Sequence, residues 1–245
     1  MLNDYICWSE YNQKLIFYIA KNKMNIAFTT NFSIVVQIIT CIVGLHGLFI
    51  ELPEKHKILH NILIIETIVQ FVEIFFYVFF LRTMIHTSLS DMAKIRYYDW
   101  FITTPTMLFS TIAFFKYKQS LLEQHENPLT LKQFISENYK NIITIFVLNF
   151  LMLLFGYLGE TAVINNYVAV FIGFIFFALM FYIIYKDYAI PSQEFTMFYL
   201  TTFVWAIYGV VALLEPTMKN NILNILDLIA KNFFGIYIYY VIKSL

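Results

Sequence analysis

Six ionisable side chains lie inside long apolar stretches of this sequence, where each needs a partner or a function. They are Glu66, Glu73, Arg96, Asp99, Asp227 and Lys231. A charged side chain at the centre of a membrane-spanning helix costs roughly 3 kcal/mol or more, and such residues mark ion paths, proton relays or counter-ions. The chemistry they predict is the transfer of protons or ions within apolar surroundings.

Lys231 stands near the middle of an apolar segment, with Asp227 one helical turn before it. A desolvated amine is partly neutral and can attack an aldehyde to form an imine. Once protonated, that imine needs nearby anions, which Asp227 and Asp99 can supply. A plain salt bridge between Lys231 and Asp227 explains the pair equally well, so the pattern alone leaves both interpretations open.

The polar side chains of three segments follow the period of a helix. The three sets are Glu66, Gln70, Glu73 and Tyr77, then Arg96, Asp99, Thr103 and Thr106, then Asn220, Asn224, Asp227 and Lys231. Steps of three and four residues place each set on one helical face. In an apolar environment, these faces must meet each other or water.

The composition is that of an integral membrane protein. Of the 245 residues, 60% are hydrophobic and only 13% are charged, against about 25% charged in ordinary soluble domains. Lys and Arg equal Asp and Glu at 16 each, so no charge excess indicates a nucleic-acid partner. Two cysteines, Cys7 and Cys41, are too few for a disulfide scaffold or a zinc ribbon, and we expect no metal site.

Seven stretches are long enough to cross a bilayer, which takes roughly 20 apolar residues each. They lie near residues 31–50, 58–82, 93–115, 140–158, 163–185, 193–214 and 220–243. Since lipid offers no hydrogen-bond partners to the backbone, we predict an all-α seven-transmembrane bundle. Residues 1–30 are too polar to span, so we expect an extracellular or interfacial cap there, followed by one seven-helix domain over residues 31–245.

Three motifs resemble those of microbial rhodopsins. The segment Arg96-Tyr-Tyr-Asp-Trp-Phe-Ile-Thr-Thr-Pro105 resembles the third-helix signature of that family. Leu226-Asp-Leu-Ile-Ala-Lys-Asn232 is similar to the segment that attaches retinal, and Trp205-Ala-Ile-Tyr208 to the sixth-helix pair that flanks it. The motifs occur in the family's order and the resemblance covers residues 31–243.

This resemblance implies all-trans retinal at the centre of the bundle, bound as an imine (Schiff base) to Lys231. It implies that Asp99 is the main counterion and proton acceptor, with Asp227 and Arg96 completing the complex. The residues implied to line the retinal pocket are Trp100, Thr104, Met152, Gly156, Trp205 and Tyr208. Gly209 stands where the family has a proline, which predicts a looser site for the retinal ring. The chain is not expected to be an enzyme.

Further positions favour a channel. Asp99, Thr103 and Ser110 resemble the triplet of rhodopsins from giant viruses of algae, which are related to channelrhodopsins. Ser110 cannot reprotonate the imine as the carboxylate of an efficient pump does. Glu66 lies 33 residues before Asp99, as in green-algal channelrhodopsins, and Glu73 matches their next glutamate; Tyr77 replaces a third.

Two contacts are expected from the same resemblance. Asn232 would pair with Glu66 to form a central gate, and Asn149 would face Thr104 as a neutral hydrogen-bonded switch. The full set predicted for the gate and ion path is Glu66, Gln70, Glu73, Asn232, Thr103, Asn149 and Ser110.

The function predicted is a light-gated cation channel in a lipid bilayer. It would carry monovalent cations and protons, with calcium as a further candidate. The sequence is also compatible with a homo-oligomer. The amino terminus is expected outside and the carboxyl terminus in the cytoplasm, in a plasma or host-cell membrane. The alternatives are a light-driven outward proton pump of low efficiency and a sensory photoreceptor. Photocurrent that reverses with the ion gradient separates a channel from a pump.

Overall fold

Seven long helices account for most of the chain in this computed structural model, which describes residues 2–124 and 127–245, with side chains from residue 21 onward. Their bounds are α1 Leu2–Gly47, α2 Ile58–Thr83, α3 Leu89–Leu122, α4 Leu131–Glu160, α5 Asn166–Ile184, α6 Phe195–Val211 and α7 Pro216–Lys243. A short 3-10 turn, Glu54–His56, precedes α2, while a π-helical turn, Tyr185–Ala189, and a helical turn, Ile190–Ser192, continue α5. The predicted all-α architecture is confirmed.

Four helices begin at side chains that cap them. Ser88 accepts a hydrogen bond from the Asp91 amide at 3.1 Å, and Thr130 and Asn165 cap α4 and α5 in the same way. Glu215 accepts from two amides of the first turn of α7, which opens on Pro216. Short polar side chains satisfy the free N–H groups of a first turn, and proline at that position loses no hydrogen bond.

The first helix runs without a break from Leu2 to Gly47. Its apolar part, long enough to span a membrane, is Lys21–Gly47, so the first span can begin ten residues earlier than predicted. The side chains of residues 1–20, including Cys7, lie outside the described part of the structure. That residues 1–30 form a cap therefore stays a prediction.

Within the described residues, five helices are long and apolar enough to cross a membrane by length and composition, while α6 is apolar but shorter. The third helix, α3, is long but carries more charge. Its Arg96 and Asp99 are almost completely buried, so these charges face the protein and leave an apolar exterior. Large side chains such as Phe75 and Phe171 are 75% and 68% exposed on the outside of the bundle, as expected for a lipid-facing surface.

The helices pack so that their polar faces meet in the interior. Helix α1 contacts α2 and α7, consecutive helices from α2 to α7 contact one another, and both α2 and α3 contact α7. All six ionisable residues singled out from the sequence are at most 3% exposed. Apart from Thr106, which is only half-buried, the three predicted polar stripes therefore lie inside the bundle, on α2, α3 and α7.

Candidate functional site

Lys231 on α7 is surrounded by carboxylates from three helices. Its Nζ forms ion pairs with Glu73 of α2 and Asp99 of α3. The same Nζ lies 3.8 Å from Oδ1 of Asp227, one turn earlier on α7. Carboxylates this close favour a charged nitrogen, so the geometry does not support the expectation of a partly neutral lysine.

Asp227 accepts hydrogen bonds from side chains on three helices. The Tyr77 hydroxyl and the Arg96 Nη1 donate to Oδ2 at 2.8 and 3.0 Å. The Tyr208 hydroxyl and the Trp100 indole N–H donate to Oδ1 at 2.9 and 3.3 Å. Both oxygens thus have two donors each. Such bonds stabilise an ionised carboxylate in an apolar interior, so Asp227 is built as a fixed anion.

Arg96 closes the site beyond Asp227. It is fully buried, and its Nη2 donates to the side-chain oxygen of Asn224 and, at 3.4 Å, to the carbonyl of Asn220. The guanidinium carbon lies 4.4 Å from the centre of the Phe80 ring, a cation–π distance. Besides Asp227, two further residues of the polar stripe of α7, Asn220 and Asn224, therefore bind Arg96.

The polar stripe of α2 lies against the attachment lysine. Gln70 Nε2 donates to the backbone carbonyl of Lys231 at 2.5 Å, Glu73 pairs with its Nζ, and Tyr77 binds Asp227. The sequence assigned Glu73 to the gate and ion path without assigning it to the lysine. In the structure Glu73 also pairs with Lys231, because the face of α2 that carries Glu73 packs directly against α7.

An apolar cavity extends from Lys231 between α3, α4, α5 and α6. All seven residues predicted to bind a chromophore line it: Lys231, Trp100, Thr104, Met152, Gly156, Trp205 and Tyr208. The empty space between the lining residues is about 790 Å³, including the part that opens to the outside. Trp100 and Tyr208 meet edge to face, with ring centres 5.5 Å apart.

Two glycines let aromatic side chains approach the cavity. A Cβ on Gly156 would lie 2.6 Å from the Tyr97 hydroxyl oxygen, and one on Gly209 would lie 2.6 Å from the Phe174 ring. Such distances are too short for real Cβ contacts. The looser ring site predicted at Gly209 is therefore not found, since the Phe174 ring fills the space that the glycine leaves.

The predicted contact between α3 and α4 is present. Asn149 Nδ2 donates to Thr104 Oγ1 at 2.9 Å, while Thr104 donates to the Trp100 carbonyl at 2.7 Å. Thr103, the residue before Thr104, donates to the Asp99 carbonyl at 3.0 Å. The Asn149–Thr104 hydrogen bond is confirmed, and its role as a switch stays a prediction.

The predicted gate has a different pairing. Glu66 accepts a hydrogen bond from the Ser110 hydroxyl of α3. Asn232 Nδ2 instead donates to the Leu228 carbonyl of its own helix at 2.8 Å. The expected Glu66–Asn232 hydrogen bond is thus absent from the contacts of the described residues, and the Ser110 hydroxyl on α3 occupies its place as the donor to Glu66.

Several buried side-chain atoms on α1, α2 and α7 have no hydrogen-bond partner in the described structure. They are Glu66 Oε2, Gln70 Oε1, Asn232 Oδ1, and both Oε1 and Nε2 of Gln37. Gln37 is a fully buried residue of α1 that the sequence analysis did not select. Its position in an apolar span, four residues after Ser33, was the available signal.

Comparison with known proteins identifies the family. Residues 28–245 match the family model described as bacteriorhodopsin-like protein. This chain belongs to that family. A comparison with curated protein sequences gives no match.

The bacteriorhodopsin-like chain is similar to several solved rhodopsins. The viral rhodopsin OLPVRII has 26% identity and a TM-score of 0.77, covering 89% of this chain and 98% of its own. A thermophilic rhodopsin from Rubrobacter xylanophilus has 19% identity and a TM-score of 0.70, with 89% and 96% covered. The blue light-absorbing proteorhodopsin from Med12 has 18% identity and a TM-score of 0.68, with the same coverage. The last two show the shared fold; together with the family, the viral structure confirms a microbial rhodopsin that resembles viral rhodopsins.

The residues of this bacteriorhodopsin-like protein fit retinal, the chromophore that the family implies. Retinal is a long apolar aldehyde, and the cavity is lined mainly by aromatic and other apolar side chains together with one primary amine, that of Lys231. Sequence reasoning missed some of the lining residues, among them Tyr97, Met107, Phe174 and Phe177. These are common apolar residues of membrane helices, and only the packing distinguishes them from lipid-facing ones.

Proposed function

We propose that this microbial rhodopsin is a light-gated cation channel whose ion path runs between α1, α2 and α7. The observation that carries the proposal is the group of unpaired, buried polar atoms on Gln37, Glu66, Gln70 and Asn232. Leaving a buried polar atom without a partner costs about 1–3 kcal/mol. Four such residues on three adjoining helices fit a passage that takes up water when it opens.

The acidic groups of this path favour cations. Glu66 and Glu73 lie on one face of α2, and both are buried. Acidic side chains along a pore attract cations and repel anions. Ser110 and Thr103 add hydroxyl oxygens from α3, which can replace part of the water shell of a monovalent cation. Calcium remains a candidate ion on the same chemistry.

The contacts of Lys231 provide a way to couple light to the path. Bound as an imine on Lys231, retinal would supply light absorption and a change of shape next to the counterions. Asp99 is the proton acceptor in this proposal, while Asp227 stays ionised through its four donors. Because Gln70 and Glu73 both bind Lys231, a displacement of the lysine side chain acts directly on α2. That helix carries Glu66 two turns further along.

One observation favours an outward proton pump as the second candidate. The sequence placed Ser110 where an efficient pump has a proton-donating carboxylate. The hydrogen bond from Ser110 to Glu66 brings a carboxyl group from α2 to the same place. Glu66 could then return a proton towards Lys231 and sustain slow pumping.

Photocurrents under voltage clamp decide between these functions, with the sodium, potassium and proton gradients varied separately. A channel gives current that reverses sign with the gradient, near zero potential in symmetric solutions. Outward current at every voltage would support the pump, and a pigment without current would support a sensor.

The orientation in the membrane follows from the basic residues of the first loop. With Lys55 and Lys57 in that loop, we place the amino terminus outside.

A variant pair tests the path itself. Glu66→Gln should change the cation selectivity or the closing rate, because the carboxyl group of the proposed gate is lost. Glu137→Gln is the control, since Glu137 is exposed and its carboxylate binds Gln133 on its own helix. Equal selectivity and closing rate in Glu66→Gln and Glu137→Gln would contradict the path.

A further inference from the structure

We propose that Glu73 and Asp99 share one proton and act together as the counterion of the Lys231 nitrogen. The proposal rests on retinal attachment at Lys231 but not on whether the protein conducts, pumps or signals. It adds a third carboxylate from α2 to the two that the sequence motifs contain.

The charges buried around Lys231 do not balance without an extra proton. Lys231 and Arg96 carry two positive charges, whereas Glu73, Asp99 and Asp227 carry three negative charges when all are ionised. All five side chains are at most 3% exposed, and an unbalanced charge in such surroundings is costly. One proton on one carboxyl group restores neutrality.

The hydrogen bonds indicate which carboxyl groups hold that proton. Asp227 accepts from four donors, including Arg96, and a proton there would remove an acceptor that these donors use. Glu73 and Asp99 each place one oxygen on Lys231, while Glu73 Oε1 and Asp99 Oδ1 have no partner in the described structure. Because both carboxyl groups contact the same Lys231 Nζ, they lie next to each other. A proton on either one can therefore be donated to the other.

Formation of the imine strengthens the argument. The Lys231 ammonium has three N–H donors and stands in for an imine nitrogen that has one. Two carboxylates can each accept from the ammonium, but only one of them can accept from the imine N–H. The other then needs a donor, and a proton shared by the pair supplies it. Two carboxyl groups that share a site cannot both ionise easily.

The surroundings of Glu73 contain the charges that set its titration. Helix α7 contributes Lys231 and Asp227, α3 contributes Asp99 and Arg96, α6 contributes the Tyr208 hydroxyl, and α2 itself contributes Tyr77. Among the described residues of α1, the buried face carries one titratable side chain, Cys41. The pair is thus balanced by groups on other helices, and removal of either member should make the site neutral without an added proton.

The test is a pH titration of the dark absorption spectrum together with infrared spectroscopy. In the unmodified protein, alkaline pH should remove the shared proton, add negative charge beside the imine and shift the absorption reversibly to the blue. Glu73→Gln and Asp99→Asn should each keep a visible pigment but lose this shift. Glu73→Gln should also lose one carbonyl band of a protonated carboxylic acid. The double variant should lose visible colour at neutral pH, because too little negative charge remains near the imine.

Two further variants keep the result interpretable. Glu66→Gln removes a buried carboxyl from the same face of α2 without touching Lys231, so its absorption titration should match that of the unmodified protein. Glu73→Asp should keep the shared-proton band. If Glu73→Gln forms no pigment, the infrared band is measured on the retinal-free proteins, where the same charge imbalance exists. A Glu73→Gln protein that retains the blue shift or the band would overturn the proposal, whatever the photocurrents show.

Discussion

Asp227 depends on hydrogen bonds from neighbouring helices, and the loss of one donor should weaken the bundle measurably. The hydroxyl groups of Tyr77 on α2 and Tyr208 on α6 donate to different oxygens of this carboxylate, at 2.8 and 2.9 Å. Tyr77→Phe and Tyr208→Phe each remove one hydroxyl and keep the ring. Tyr208→Phe therefore removes one hydrogen bond to the buried anion, while Tyr77→Phe also removes the acceptor of a 3.3 Å hydrogen bond from Arg96 Nη1.

The expected sizes follow from the donor that remains on each oxygen. A hydrogen bond to a charged group contributes about 1.5–3 kcal/mol to stability. In Tyr77→Phe, Oδ2 keeps Arg96 at 3.0 Å, so we expect a loss near the lower end, about 1.5 kcal/mol. In Tyr208→Phe, Oδ1 keeps the long hydrogen bond from the Trp100 indole at 3.3 Å and the Lys231 Nζ at 3.8 Å, so we expect about 2.5 kcal/mol. At about 2–4 °C per kcal/mol for a chain of this size, Tm should fall by about 3–6 °C and about 5–10 °C.

Thermal unfolding of the retinal-free protein in detergent, followed by circular dichroism, measures these losses. Tyr240→Phe is the control, since Tyr240 lies on α7 and is 67% exposed on the outside of the bundle. The double variant tests whether both hydroxyl groups act on one carboxylate, because shared partners give non-additive losses. Variants of Tyr77 and Tyr208 that unfold at the temperature of the control would refute this account of Asp227.

Three other substitutions test separate parts of the structure. Lys231→Ala should abolish visible absorption after addition of retinal, and a variant that still forms pigment would remove the lysine from its role. Gly209→Ala should lower the pigment yield by moving the Phe174 ring into the cavity, whereas Gly235→Ala should not, because Gly235 does not line the cavity and its Cβ would lie 3.5 Å from the nearest atom, an ordinary contact; absorption after reconstitution measures both. Partial burial, and then a neighbouring lysine, lower the pKa of His56 below 6.5, so the folded state binds its proton less well than the unfolded state. Stability should decline as pH falls through about 6.5 and below, and His56→Gln should flatten this part of the curve of Tm against pH.

The sequence predicted the residues that line the retinal cavity better than it predicted the contacts made by α2. The motif residues Trp100, Thr104, Trp205 and Lys231 all line one cavity, because helical periodicity and chain order already place them on facing sides of three helices. The Asn149 contact follows from the same logic. In each case the spacing of the residues along a helix determines which face of that helix carries the side chain.

The partners of α2 could not be predicted in this way. Steps of three and four residues put Glu66 and Glu73 on one face, but they leave open how deep that face lies relative to Lys231. This depth depends on how α2 packs against α7, which involves ordinary apolar side chains. For the same reason, the spacing could not reveal that Ser110 on α3, and not Asn232 on α7, binds Glu66.

The second helix links the lysine to the proposed path through consecutive turns of one face. Tyr77 binds the fixed anion Asp227, Glu73 binds the Lys231 nitrogen, and Gln70 binds the Lys231 carbonyl. One further turn along lies Glu66. If the nitrogen of Lys231 moves away from Glu73, that carboxyl group loses its partner while Tyr77 and Gln70 still hold α2 at Asp227 and at the α7 backbone. The freed carboxyl group can then bind water, and the Gln70 and Glu66 oxygen atoms that have no hydrogen-bond partner in the described structure lie on the same face of α2.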